Sequence, residues 1–189
     1  MSKQAQVVDW ALNLAQQGQE FLWTNNPTFS SLSAWAAANL DNNTTSPLPP
    51  LNGNLVMICY EFPLYAAATV GAITLKQLVG LYKQVYVNHK SWDTVLNGYW
   101  FSDPTTYDPK THQPDIPKGN IVFFNDAEHI AMSTGDRGQY GNQMIVSFWG
   151  FSPNPNNGVP TPLTVDSVEA LVEIMKPSNV KVGFAKAPW

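Results

Sequence analysis

The chain holds a single cysteine, Cys59, and three histidines, His89, His112 and His129. A lone thiol is either a small buried apolar group or a nucleophile, and its surroundings separate the two. Nucleophilic use needs the thiolate, and a free pKa of about 8.5 leaves little of it at neutral pH unless the anion is stabilised. A helix N-terminus supplies that stabilisation, through its macrodipole and its unpaired N–H groups, and the same groups can receive the oxyanion formed when a carbonyl is attacked. In VMICYEFPLYAAATVGAI, Pro63 is harmless only in a first helical turn, which places the helix start near Cys59 or Tyr60. The base must then arrive from elsewhere in the chain, within roughly 3 to 4 Å of the sulfur. His129 opens a β-like run after the turn residues NDAE and is the imidazole that a hairpin could set over the end of the Cys59 helix. His89, in VNHKSW, and His112, in THQPD, read as solvated surface residues.

The elements that must position this pair follow from apolar spacing. Residues 4–22 read as one amphipathic helix, with Val7, Val8, Trp10, Ala11, Leu14, Phe21 and Leu22 on one side. A second helix starts at a Ser30 or Ser31 cap and runs through Leu40. Residues 41–54, rich in Asn, Thr and Pro, form a loop. The Cys59 helix ends near Gly71, residues 75–86 form another helix, and a short one spans 92–96 before a long loop to residue 118. Beyond it the period changes. Residues 121–124, 130–134 and 144–149 read as antiparallel strands, residues 165–175 as a helix capped by Thr164, and 180–184 as a last strand. Helices first and antiparallel strands afterwards predict an α+β fold. With 189 residues, one domain over 1–189 is expected, with a helical N-terminal extension over 1–50 and a catalytic core over 52–189.

Two of these segments resemble a known family. CYEFPLYAAATVGAI is similar to the nucleophile helix of NlpC-type papain-like peptidases and their toxin-associated relatives. PKGNIVFFNDAEHIAMSTG is similar to that family's second motif, in which a Pro-x-Gly-Asp-like turn starts one strand and His starts the next. Gly119 matches, and Asn120 stands where Asp is more usual. The resemblance covers residues 52–150 and implies a papain-like (NlpC-type) fold, with the nucleophile helix packed on a small antiparallel sheet. It also implies Cys59 as nucleophile, His129 as base, and a polar third residue on the next strand. That strand, QMIVSFWG, departs from the pattern: Ser147 falls at the expected depth, with Asn142, Gln143 or a backbone carbonyl as alternatives. Glu61 is expected to complement the helix dipole, and Asn54 is a candidate oxyanion donor. The aromatics Tyr60, Tyr99, Trp100, Phe101, Tyr107, Phe148, Trp149 and Phe151 are either groove-lining or ordinary core and rim residues.

Hydrophobic residues make up 44% and charged residues 13% of the chain, enough apolar surface for a folded core. A formal net charge of −4 with 10 Lys plus Arg gives no basic patch, so nucleic acid is not expected as a partner. One cysteine excludes an internal disulfide, the histidine spacing assembles no zinc site, and no cofactor is expected. The start, MSKQAQVVDW, lacks a Sec-type signal, and no apolar run is long enough for stable membrane insertion. The resemblance implies a cysteine amidohydrolase acting on peptide or amide bonds, peptidoglycan first. Such a bacterial toxin or effector would be cytoplasmic in its producer, with a specialised secretion system as export route and an immunity protein as partner. The alternatives are a deamidase, transglutaminase or protease acting on host proteins, an acyltransferase acting on lipid, and a catalytically inactive binding domain.

Overall fold

The computed structural model describes residues 1–41, 46–100, 103–150, 159–175 and 179–189. The fold is α+β, with six α-helices among the described residues and a small antiparallel sheet. The first helix, α1, spans Lys3–Gln16. Gly18 adopts φ +65°, which only glycine takes without strain, and its N–H donates to Ala15 while that of Gln19 donates to Leu14. This stop frees Phe21 and Leu22, expected in the helix, for strand β1, Glu20–Trp23. Helix α2, Ser31–Ala38, is capped by the Ser30 hydroxyl, which accepts from the Ser33 N–H. After the loop comes β2, Val56–Met57, then α3, Glu61–Thr69, with Pro63 in its first turn and Gly71 in the left-handed region just past its end. Helix α4, Leu75–Tyr86, carries a capping box between Thr74 and Gln77, and α5 spans Trp92–Trp100, a turn longer than its apolar spacing predicts.

The rest of the chain builds the sheet from β3 (Thr105–Tyr107), β4 (Ile121–Phe124), β5 (His129–Arg137), β6 (Gln143–Ser147), β8 (Thr164–Ser167) and β9 (Val182–Ala185), ordered β3-β9-β4-β5-β6-β8. Strand β7, Val159–Pro162, joins β1 and β2 in a separate three-stranded sheet. The helix expected from Val165 begins at Val168 instead: α6 spans Val168–Ile174 and is capped by Ser167, while Thr164–Ser167 pairs with β6. Backbone pairing with a strand already in place overrides a helical apolar spacing only a few residues long.

The six-stranded sheet separates two apolar layers. On one face Ile121, Phe123, Ile130, Met132 and Val146 join the packing of α1 to α4. On the other, Val122, Phe124, Ala131 and Ile145 pack with Val168 and Leu171 of α6. At the entrance to β4, residues 117–120 make a turn in which the Asn120 N–H donates to the Pro117 carbonyl and Gly119 takes φ +85°. A Cβ on Gly119 would stand 2.5 Å from the Gln4 Cβ and 2.9 Å from its carbonyl carbon. Gly119→Ala is therefore expected to lower stability by about 3 kcal/mol, from positive-φ strain and backbone overlap together. Urea unfolding of the two proteins measures it, and a change below about 1 kcal/mol would mean that α1 does not rest on this turn.

Candidate active site

Cys59 lies where the sequence places it, one residue before the Tyr60 N-cap of α3. Its surroundings are not those of an activated thiol. The residue is 4% exposed and shares the helix-side core with Ile58, Phe62 and Ile130. Burial, with the Glu61 charge adding to it, pushes the thiol up to about 11, although the backbone amides of Ile130 and Tyr60 favour the anion.

His129 is the first residue of β5 and is fully buried. Its Nε2 lies 3.0 Å from Ser147 Oγ, and its ring contacts Trp149, stacked at 5.0 Å, and Phe124, tilted at 5.6 Å. Its Nδ1 is buried with no hydrogen-bond partner. Burial holds the imidazole down to about 3, so it is neutral at every physiological pH.

His129 and Ser147 are thus brought within hydrogen-bond distance. Cys59 and His129 approach through the backbone, the thiol sitting against the Ile130 amide, but no hydrogen bond joins the sulfur to Nδ1. Strand alternation explains this. Ile130 faces the helices and Cys59, whereas His129, like Ala131, faces the α6 side with Phe124 and Ser147. Direct proton exchange between thiol and imidazole needs a contact that this arrangement does not contain.

No protein-family model, no curated protein and no solved structure matches the chain.

The other candidates have structural partners. Gln143 accepts from the Ile116 N–H and donates to the Asp136 carbonyl, tying the long loop to the sheet and leaving Ser147 as the side chain at the imidazole. Asn142 accepts at its carbonyl from the Gly138 N–H. Asn54 is exposed in the turn before β2, its N–H donating to Asn52. His89 is exposed, and the His112 carbonyl accepts from Arg137.

Among the aromatics, Tyr60 packs on Trp92, Phe148 on Phe21 and Phe62, and both Tyr99 and Trp189 on Trp100. Phe101 and Phe151 lie outside the described residues. Tyr107 lines a cavity of about 850 Å³ between β3, β9 and α6, whose lining includes neither Cys59 nor His129.

Sequence reading missed the aromatic contacts of His129 with Phe124 and Trp149. Glu61 is the first-turn carboxylate of α3, as expected, but its full burial and the donors around it were missed. The Ser30 cap was the only legible hint of the latter.

Proposed function

We propose that the chain is a papain-like cysteine amidohydrolase of the NlpC type, with Cys59 as nucleophile, His129 as general base and Ser147 as the group orienting the imidazole. In this reading the state described above is the resting one. The observation that carries it is the His129 ring itself: one nitrogen is held by Ser147 at 3.0 Å, and the other is buried without a partner one residue from the amide against which the thiol lies. An orphaned buried ring nitrogen costs about 1 to 3 kcal/mol, and a functional partner for it explains why it is tolerated.

Once the ring meets the sulfur, the thiol proton passes to Nδ1 and sulfur bonds to the amide carbonyl carbon. The Glu61 N–H is engaged by the Ile58 carbonyl, so in this reading the oxyanion would be received by the backbone amides that already lie against the thiol, those of Tyr60 and Ile130. His129 then returns the proton to the departing amine as the C–N bond breaks, and water activated by the same ring releases the acyl group from sulfur. The family resemblance supplies peptidoglycan peptides as the substrate class, a toxin or effector role, and an immunity protein as partner.

Expression in a bacterial periplasm tests the reading, with muropeptides analysed by mass spectrometry. The wild type is expected to cleave cross-bridge or stem peptides and arrest growth. Cys59→Ala should abolish cleavage, and His129→Ala should reduce it by about 10³-fold.

A second reading, a papain-like shell used only for binding, is favoured by the burial of both groups and by the neutral state that burial gives each of them. Equal, harmless growth of wild type and Cys59→Ala, with no cleaved muropeptide, selects that shell over the cell-wall hydrolase. A mass change in offered proteins or lipids that depends on Cys59 selects the deamidase or transferase alternatives instead.

A further inference from the structure

Outside the proposed triad, Glu61 is a fully buried ionisable side chain held by four hydrogen bonds. It occupies the first position of α3, two residues past Cys59. Its Oε2 accepts from Ser30 Oγ at 2.5 Å and from the Ile58 N–H at 2.9 Å, and its Oε1 accepts from Tyr82 Oη at 2.6 Å and Ser33 Oγ at 2.8 Å. Both oxygens act as acceptors twice over, the pattern of a carboxylate rather than of a carboxylic acid. In return, the Glu61 N–H donates to the Ile58 carbonyl at 3.0 Å. Residues 58–61 are therefore a turn closed from both sides by one residue, and Cys59 and Tyr60 are its two central positions. The far ends of the same hydrogen bonds anchor this turn to α2 through Ser30 and Ser33 and to α4 through Tyr82.

We infer that Glu61 is the positioning residue for the Cys59 thiol, holding the turn that carries it and setting the charge beside it. The importance of that thiol rests on the hydrolase reading, but the geometry does not, so the two fail separately. Other titratable groups acting on the turn are Tyr60 within it, Tyr82 and Tyr86 from α4 and Asp93 from α5, while His129 of β5 faces the α6 side of the sheet. Tyr60 and Tyr82 are both held protonated by burial and by the Glu61 charge. That leaves Glu61 as the anion that opposes ionisation of the thiol.

Two variants separate charge from anchorage. Glu61→Gln keeps the shape and removes the charge, and Tyr82→Phe keeps the charge and removes one anchor. Alkylation of Cys59 by iodoacetamide is followed against pH under native conditions, with circular dichroism confirming the fold of each variant. The alkylation midpoint of Glu61→Gln is expected to fall by about one pH unit, the size of shift a nearby charge produces. Tyr82→Phe is expected to alkylate several-fold faster than wild type at one alkaline pH, because the turn opens more often.

Folded variants whose midpoint and rate both coincide with wild type would overturn the assignment and leave Glu61 a purely structural anchor. Should Glu61→Gln not fold, an unchanged rate in Tyr82→Phe overturns it alone. Neither readout depends on hydrolysis: a failed hydrolase reading appears as absent cleavage by the wild type, with these alkylation shifts intact.

Discussion

Acidification is expected to destabilise this protein through His129, by about 3 kcal/mol between pH 7 and pH 4 and about 5 kcal/mol in full, from a pKa of about 3 in the fold against 6.5 in the open chain. The sign follows from proton binding. Between those two values the unfolded chain binds a proton that the folded imidazole refuses, because charging the ring against Phe124 and Trp149 would strip it of water with only Ser147 Oγ beside it. The contribution is complete above pH 6.5, is lost progressively as pH falls below it, and is gone below about 3. Glu61 runs the opposite way, since its burial raises the carboxyl and a raised acid binds its proton sooner in the fold. Urea unfolding of wild type and His129→Gln at pH 7 and pH 4 therefore isolates the histidine as a difference of slopes. The wild type should lose about 3 kcal/mol more than the variant across that interval. Equal losses would show that the ring is hydrated or paired in solution, and the resting-state description of the site would fall with it.

Cys59 in the folded protein is expected to react with iodoacetamide at pH 8 at least roughly two hundred times more slowly than in the unfolded chain. A thiol held at about 11 is one-thousandth ionised at that pH, whereas a free thiol near 8.5 is about one-quarter ionised. Burial to 4% exposure slows the reagent further, because it must wait for local opening. Under the hydrolase reading, His129→Ala removes the group that would accept the thiol proton, so labelling by a peptide carrying a thiol-reactive carbonyl should fall while iodoacetamide labelling stays slow. Under the binding reading, both probes should be slow and neither should respond to His129. Fast alkylation of the native wild type would contradict the thiol environment described above.

Local chemistry was legible wherever one residue acts on its own backbone. Pro63 located the start of α3, the Ser30 hydroxyl capped α2, and Gly71 marked the stop of α3. Strand β4 came out at its full length because its four residues are buried on both faces and read as an unbroken apolar run. Gly18 carried the same kind of signal as Gly71, yet the apolar spacing of Phe21 and Leu22 continued past it and hid strand β1. The partners that make those residues a strand are Val56–Met57 and Val159–Pro162, which lie far along the chain.

The sequence by itself determined the α+β class, the order of the helices and of the central strands β4, β5 and β6, and the position of Cys59 at a helix start and of His129 at a strand start. Only the tertiary structure decided which way those groups point and whether water reaches them. Side chains alternate along a strand, so one residue of register separates Ile130, packed with the thiol, from His129, turned to the α6 face. Register is set by neighbouring strands rather than by the residue itself. Ionisation obeys the same nonlocal rule: Glu61, Cys59 and His129 owe their proton affinities to burial by segments that no spacing within their own motifs specifies.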